Sequence, residues 1–246
     1  MAAIHFRILG YITTLALHIT NLAALLEMKE ELSVDVHIKV FKGMLYRYFS
    51  GWNIMIQILY AILALYCDVS ILKNSNNRNN LLLTPLKEMI NILFPALVWP
   101  CTMVVFTVLW SLFLYDRNLI FPDFIDQVVS PMSNHILHTI IVPIVLWESV
   151  FRRRIQPKSH SRNLVQLTVH LVVYLSVIYY TYLQEGIWLY PIFKVTFGSI
   201  HFALLHVCLA VLFISFYYMQ WFLNHLIHGS PVKSRRPSPR PLQFLL

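Results

Sequence analysis

Six long apolar runs, at about 4–26, 48–72, 89–115, 134–151, 164–184 and 199–224, leave this chain little choice but to cross a membrane repeatedly. About 20 apolar helical residues span the ~30 Å hydrocarbon layer. In lipid every backbone N–H and C=O needs a partner within the protein, and a helix supplies all of them locally. The predicted fold is therefore all-α, a polytopic bundle of six transmembrane helices over 1–228. A basic, Pro-rich tail, 229–246, follows it and is expected to be disordered. Only 12% of the residues are charged and mean hydropathy is +0.63, against about 25% charged in soluble domains.

The first run is long, carries His18 and lacks a small-residue cleavage site, so it reads as a retained helix and not a signal peptide. Pro143 in the fourth run, and Pro95 and Pro100 in the third, require that neighbours satisfy the carbonyls they free. Lys and Arg concentrate in Arg7, the 73–88 loop, the 152–163 loop and the tail, with fewer in the alternate loops. The positive-inside rule then puts both termini in the cytoplasm. The net charge of +8 belongs to these flanks, and no basic-aromatic interleaving suggests nucleic acid. Asn74–Asn80 reads as a solvated loop. Cys67, Cys101 and Cys208 all sit in apolar runs without metal-ligand spacing, which predicts packed thiols.

Polar residues inside these runs are costly and so carry information. Ser50, Asn53 and Gln57, spaced i, i+3, i+7, share one face at the head of the second span and should face the bundle interior. Asn134, His135 and His138 occupy the mouth of the fourth. Both helices enter from the same membrane side, so Ser50 and His138 are expected at matched depth. A hydroxyl and an imidazole so placed are the minimum for an activated nucleophile. Asn134 or Asn53 could donate to an oxyanion. The competing reading is structural: membrane serines usually bond to backbone or a neighbouring helix, and histidines near helix ends are often interfacial. Asp116 and Arg117 read as a loop-anchoring pair, Trp188 and Tyr190 as interfacial aromatics.

Four motifs then occur in order: YFSGWNIMIQ (48–57), LYDRNLIFPDFID (114–126), NHILHT with Pro143, and GIWLYPIF (186–193). Together they resemble the androgen-induced-gene family of six-helix membrane proteins, which includes the androgen-dependent regulator of tissue factor pathway inhibitor. The resemblance implies an intramembrane hydrolase of fatty acid esters of hydroxy fatty acids with a threonine nucleophile and a histidine. Those positions match Ser50 and His138, serine keeping the hydroxyl and losing the methyl. The resemblance calls for no cofactor and no metal. The implied partners are a lipid ester from the bilayer and the membrane lipids themselves, in the plasma membrane or the endoplasmic reticulum. Two alternatives stand beside it. One is a non-enzymatic scaffold or regulator of the same fold. The other is a haem-binding electron carrier using intramembrane histidines among His18, His138, His170, His201, His206 and His225.

Overall fold

The computed structural model describes residues 2–27, 36–73 and 83–229. The asparagine-rich loop and the tail beyond Gly229 lie outside the described residues. Among those described there are ten α-helices: α1 (Ala2–Leu26), α2 (Val36–Met44), α3 (Phe49–Lys73), α4 (Leu83–Leu93), α5 (Trp99–Asp116), α6 (Pro131–His138), α7 (Ile141–Phe151), α8 (Ser161–Glu185), α9 (Pro191–Thr196) and α10 (Ile200–His228). Six continuous or near-continuous stretches are long and apolar enough to cross a membrane: α1, α2 with α3, α4 with α5, α6 with α7, α8 and α10. The chain is a six-span multi-pass membrane protein.

Successive spans run antiparallel, and side-chain pairs fix their register. Arg7 meets Asp68, and His18 meets Gln57, along α1 and α3. Asn21 meets Ser133 across α1 and α6. Trp99 Nε1 donates to Phe216 O across α5 and α10, and Tyr179 meets His206 across α8 and α10. One end of the bundle therefore carries the start of α1 and the end of α10, called here the terminal end. The far end carries α2, α9 and the 117–130 connection.

Two spans are broken where proline removes a donor. Between α4 and α5 the chain makes a π-helical turn, Phe94–Val98. In that register Pro100 would donate to Pro95 O but has no N–H. Gln220 Nε2 on α10 donates to Pro95 O instead, at 2.9 Å. Between α6 and α7, Pro143 cannot donate to Thr139 O, and Val142 N takes that carbonyl at 3.1 Å. The fourth span thus breaks directly after His138.

α2 is an element that the apolar runs alone do not reveal. Ile38, Phe41 and Met44 are buried at helical spacing, while Lys39 and Lys42 lie off that stripe. Phe41 packs on Tyr48 and on Phe124 of the 117–130 connection, so α2 covers the far end of the bundle. In that connection Arg117 pairs with Asp126 at 2.7 Å and Asp123 at 3.2 Å. Asp116 is not its partner; it caps the turn by accepting from Asn118 N. The two residues anchor the loop as expected, but separately. Of the cysteines, Cys67 and Cys101 are buried and Cys208 is exposed on the outer face of α10.

Candidate active site

Asn53 and Gln57 of the predicted stripe are both fully buried, at 0% and 2% exposed. They belong to a closed polar chain at the centre of the bundle. His18 Nε2 lies 2.8 Å from Gln57 Oε1. Gln57 Nε2 donates to Thr102 Oγ1 at 2.8 Å, and Thr102 Oγ1 donates to Asn53 Oδ1 at 3.1 Å. With its oxygen committed, Asn53 keeps Nδ2 as a buried donor without a partner among the described residues, while His18, whose Nε2–H donates to the Gln57 oxygen, keeps Nδ1 as a buried acceptor without one. A buried unpaired donor costs about 1–3 kcal/mol, so its retention points to a ligand or water that it serves.

Ser50 is the second residue of α3 and is half-buried, with no hydrogen bond to its hydroxyl among the described residues. The backbone around it is braced from α8 and α9. Tyr190 Oη accepts from Phe49 N at 2.9 Å and lies 2.8 Å from Tyr174 Oη. Burial holds the Tyr190 phenol above the ordinary tyrosine range, so it stays protonated. Arg47, three residues earlier, donates to Thr181 Oγ1 and lies 3.8 Å from Glu185. The motif GIWLYPIF therefore holds the head of α3 in place. Trp188, partly buried, stacks on Tyr182 with ring centroids 4.2 Å apart. Replacing Tyr190 with phenylalanine strands Phe49 N–H and the Tyr174 hydroxyl, and a loss of about 1–3 kcal/mol is expected. Thermal unfolding of the purified variant checks this; an unchanged midpoint would show that the hydroxyl does not secure α3.

His138 is buried, 6% exposed, at the last turn of α6. Ser130 caps that helix by accepting from Ser133 N, with Pro131 at its first position. His138 Nδ1 sits 2.7 Å from Asn134 Oδ1 and 3.1 Å from Asn134 O. A backbone carbonyl can only accept, so Nδ1 carries the proton and Nε2 presents a lone pair. Among the described residues nothing bonds to Nε2. Asn134, 8% exposed, orients the imidazole through its two oxygens, which makes it a positioning residue; its Nδ2 donor is not used by these bonds and stays a candidate for an oxyanion. His135 is exposed and stacks on Trp110, away from this site.

The structure joins His138 to Asn134, and Asn53 to Gln57, but it does not join Ser50 to His138. α1 supplies the ruler. His18 meets Gln57 and Asn21 meets Ser133, one turn apart. His138 therefore lies about two and a half turns nearer the terminal end than Ser50, roughly 13 Å of helical rise between Cα positions. The matched depth expected from the apolar boundaries is not what the pairing gives, because the fourth span begins a turn later relative to α3 than its polarity suggests. Helical side chains lean toward their own N-terminus, so the imidazole leans toward Ser50. Asn53 stands one turn below Ser50, between the two levels.

Of the histidines considered for haem, His18 bonds Gln57 and His206 bonds Tyr179, while His170 makes ring contacts with Phe49 and Trp52 and keeps a buried Nε2 without a partner among the described residues.

A second cluster escaped the sequence reading. At the terminal end Glu148 accepts from Tyr11 at 2.7 Å and from Tyr60, and pairs with Arg152 and Arg154 at 2.8 Å each. Asp68, 1% exposed, pairs with Arg7 at 2.8 Å and Arg152 at 3.0 Å. Arg154 also lies over the Phe94 ring at 3.5 Å. The available signal was simple: two carboxylates inside otherwise apolar spans require partners, and Arg7 and the 152–154 triplet are the cations at the same end.

Comparison with known proteins adds the following. A family profile described as FAR-17a/AIG1-like protein matches residues 6–225. The human androgen-dependent TFPI-regulating protein is 31% identical over 190 residues, covering 77% of this chain and 76% of that protein. The rat protein of the same name is 34% identical over 145 residues, covering 59% and 62%. The human androgen-induced gene 1 protein is 26% identical over 142 residues, covering 56% and 59%. No solved structure gives a significant match.

Proposed function

Because the chain belongs to the FAR-17a/AIG1-like family, we propose that it is an intramembrane hydrolase of fatty acid esters of hydroxy fatty acids. Ser50 is its nucleophile and His138 its general base. It works in the plasma membrane or the endoplasmic reticulum, with cytoplasmic termini and Ser50 toward the outer or lumenal face. The observation that carries the reading is His138 itself: a buried imidazole whose tautomer is fixed through Nδ1 and whose Nε2 lone pair is unspent.

The ester enters sideways from the bilayer. Ser50 Oγ attacks its carbonyl carbon while Nε2 of His138 takes the hydroxyl proton. The oxyanion forms at the positive end of α3, one turn above Asn53 Nδ2, a buried donor without another partner among the described residues. The tetrahedral intermediate then expels the hydroxy fatty acid's alkoxide, which receives the proton from His138. Water attacks the acyl-serine by the same route in reverse and frees the fatty acid. Proton transfer needs the two groups within about 3 Å or bridged by one water, and such contacts often tighten only with substrate bound. Substrate binding must therefore draw α6 and the head of α3 together, and the backbone break after His138 is where α6 has freedom to shift.

The gap between Ser50 and His138 favours a second reading, a non-enzymatic regulator with the same fold. A fluorophosphonate probe separates the two. Wild-type protein in nanodiscs is expected to be labelled on Ser50, with labelling abolished in Ser50→Ala and restored in Ser50→Thr. Folded wild-type protein that takes up no probe would leave the regulator as the reading.

A further inference from the structure

A cavity of about 250 Å³ lies between α1 and α7. Its rim includes Leu9 and Trp147, both exposed on the lipid-facing side, while Ala61, Phe94, Val98 and Val145 form a floor that is 2% exposed or less. The rim is kept open by a close approach. A Cβ on Gly10 would meet the Trp147 ring at 2.6 Å, and Trp147 Nε1 donates to Phe6 O beside it.

The two ends of this cavity differ. Toward the far end it is bounded by Leu17, Gln57 and Ile140, which are one or two residues from His18 and His138 in sequence or bonded to His18. Toward the terminal end it stops at Tyr11, Tyr60 and Glu148. Those three are bonded to one another and to Arg152 and Arg154, so each of their polar groups is already engaged within the protein. Leu9 to Leu17 corresponds to roughly 12 Å of helical rise. The volume equals about eight water-sized groups, a water occupying about 30 Å³ in the liquid.

We propose that this cavity holds the acyl arm of the lipid ester, and that its closed, ion-paired terminal end limits how long an arm the enzyme accepts. The inference rests on the hydrolase reading for its catalytic consequence but not for the binding itself. The walls are apolar, the rim residues Leu9 and Trp147 are exposed on helices that cross the membrane, and the polar groups at the inner end are engaged with one another. A phospholipid headgroup finds no free cation here, because Arg152 and Arg154 are held by Glu148 and Asp68. A single hydrocarbon chain fits all three conditions.

Two measurements test it. Wild-type and Ser50→Ala proteins in nanodiscs are irradiated with a diazirine-bearing fatty acid, and crosslinked peptides are mapped by mass spectrometry. Crosslinks are expected on segments 9–17 and 140–148 in both proteins, and to fall at least fivefold in Ala61→Phe, which fills the floor, and in Ile144→Trp, which narrows the half-buried rim without entering the core. In parallel, the ratio of long-chain to short-chain ester hydrolysis is expected to drop at least tenfold in either variant. Crosslinks spread evenly over all spans, or unaffected by Ile144→Trp, would overturn the site. Localised crosslinks with an unaltered chain-length ratio would overturn the length limit. Absence of any hydrolysis by wild type would strike the hydrolase reading alone, since the crosslinking stands without it.

Discussion

Glu148→Ala is expected to cost about 3–5 kcal/mol, the largest single effect on stability in this protein. Removing one partner of a buried ion pair leaves its counter-charge uncompensated, and that desolvation penalty dominates. Here one carboxylate serves two guanidiniums and two phenols. Its loss leaves Arg152 and Arg154 with Asp68 as the remaining anion, and Asp68 is already shared with Arg7. The same cluster ties α1, α3 and α7 to the chain leading into α8, so its disruption is felt in three spans at once. Glu148→Gln keeps an acceptor for the tyrosines and loses the charge, and should fall between wild type and alanine. The exposed pair Arg117–Asp126 is the internal control. Asp126 is 55% exposed there, and such pairs contribute about 0–1 kcal/mol. Thermal unfolding in nanodiscs reads both. A Glu148→Ala midpoint no lower than that of Asp126→Ala would refute the cluster's role.

The second large effect is catalytic. His138→Ala is expected to lower the rate of Ser50 labelling and of ester hydrolysis by about 10²–10⁴-fold, the usual contribution of a positioned general base. Asn134→Ala should do less. Nδ1 would retain Asn134 O as an acceptor at 3.1 Å and lose only the shorter bond to the side chain. One hydrogen bond of about 0.5–1.5 kcal/mol corresponds to no more than about a tenfold loss. The ordering matters as much as the sizes. Were Asn134 an oxyanion donor and not an orienting group, its removal would cost about 10²–10³-fold in turnover, and Asn53→Leu would be nearly silent. Labelling of His138→Ala at the wild-type rate would remove the imidazole from the mechanism.

Much of the architecture was legible along the chain, for reasons specific to lipid. Hydrocarbon penalises unpaired backbone so heavily that apolar length alone fixes where helices cross, and all six spans follow from it. The inward face of Asn53 and Gln57 was legible too, because spacing on one helix fixes a shared face whatever lies opposite. α2 was hidden because its apolar stripe, Ile38, Phe41 and Met44, is broken by lysines and too short to register as a span. The bond from Phe49 N to Tyr190 was hidden for a different reason: a tyrosine beside a membrane helix has the same signature whether or not it also braces a neighbouring helix. Glu148 and Asp68 carried a signal that was present, an acid within an apolar run, but the identity of their partners depends on which spans touch.

The sequence by itself determined the number of crossings, the fold class and the polar faces, because each is a local property of one helix in a solvent that admits no exceptions. Only the tertiary structure decided the relative depth of those faces. Nothing along α3 or α6 records how far one slides against the other; that is set by distant pairs such as Asn21 with Ser133 and His18 with Gln57. The same register sets Ser50 and His138 about two and a half turns apart and opens a cavity between α1 and α7 beside the second of them. It is a sum of interhelical contacts, and no single segment contains it.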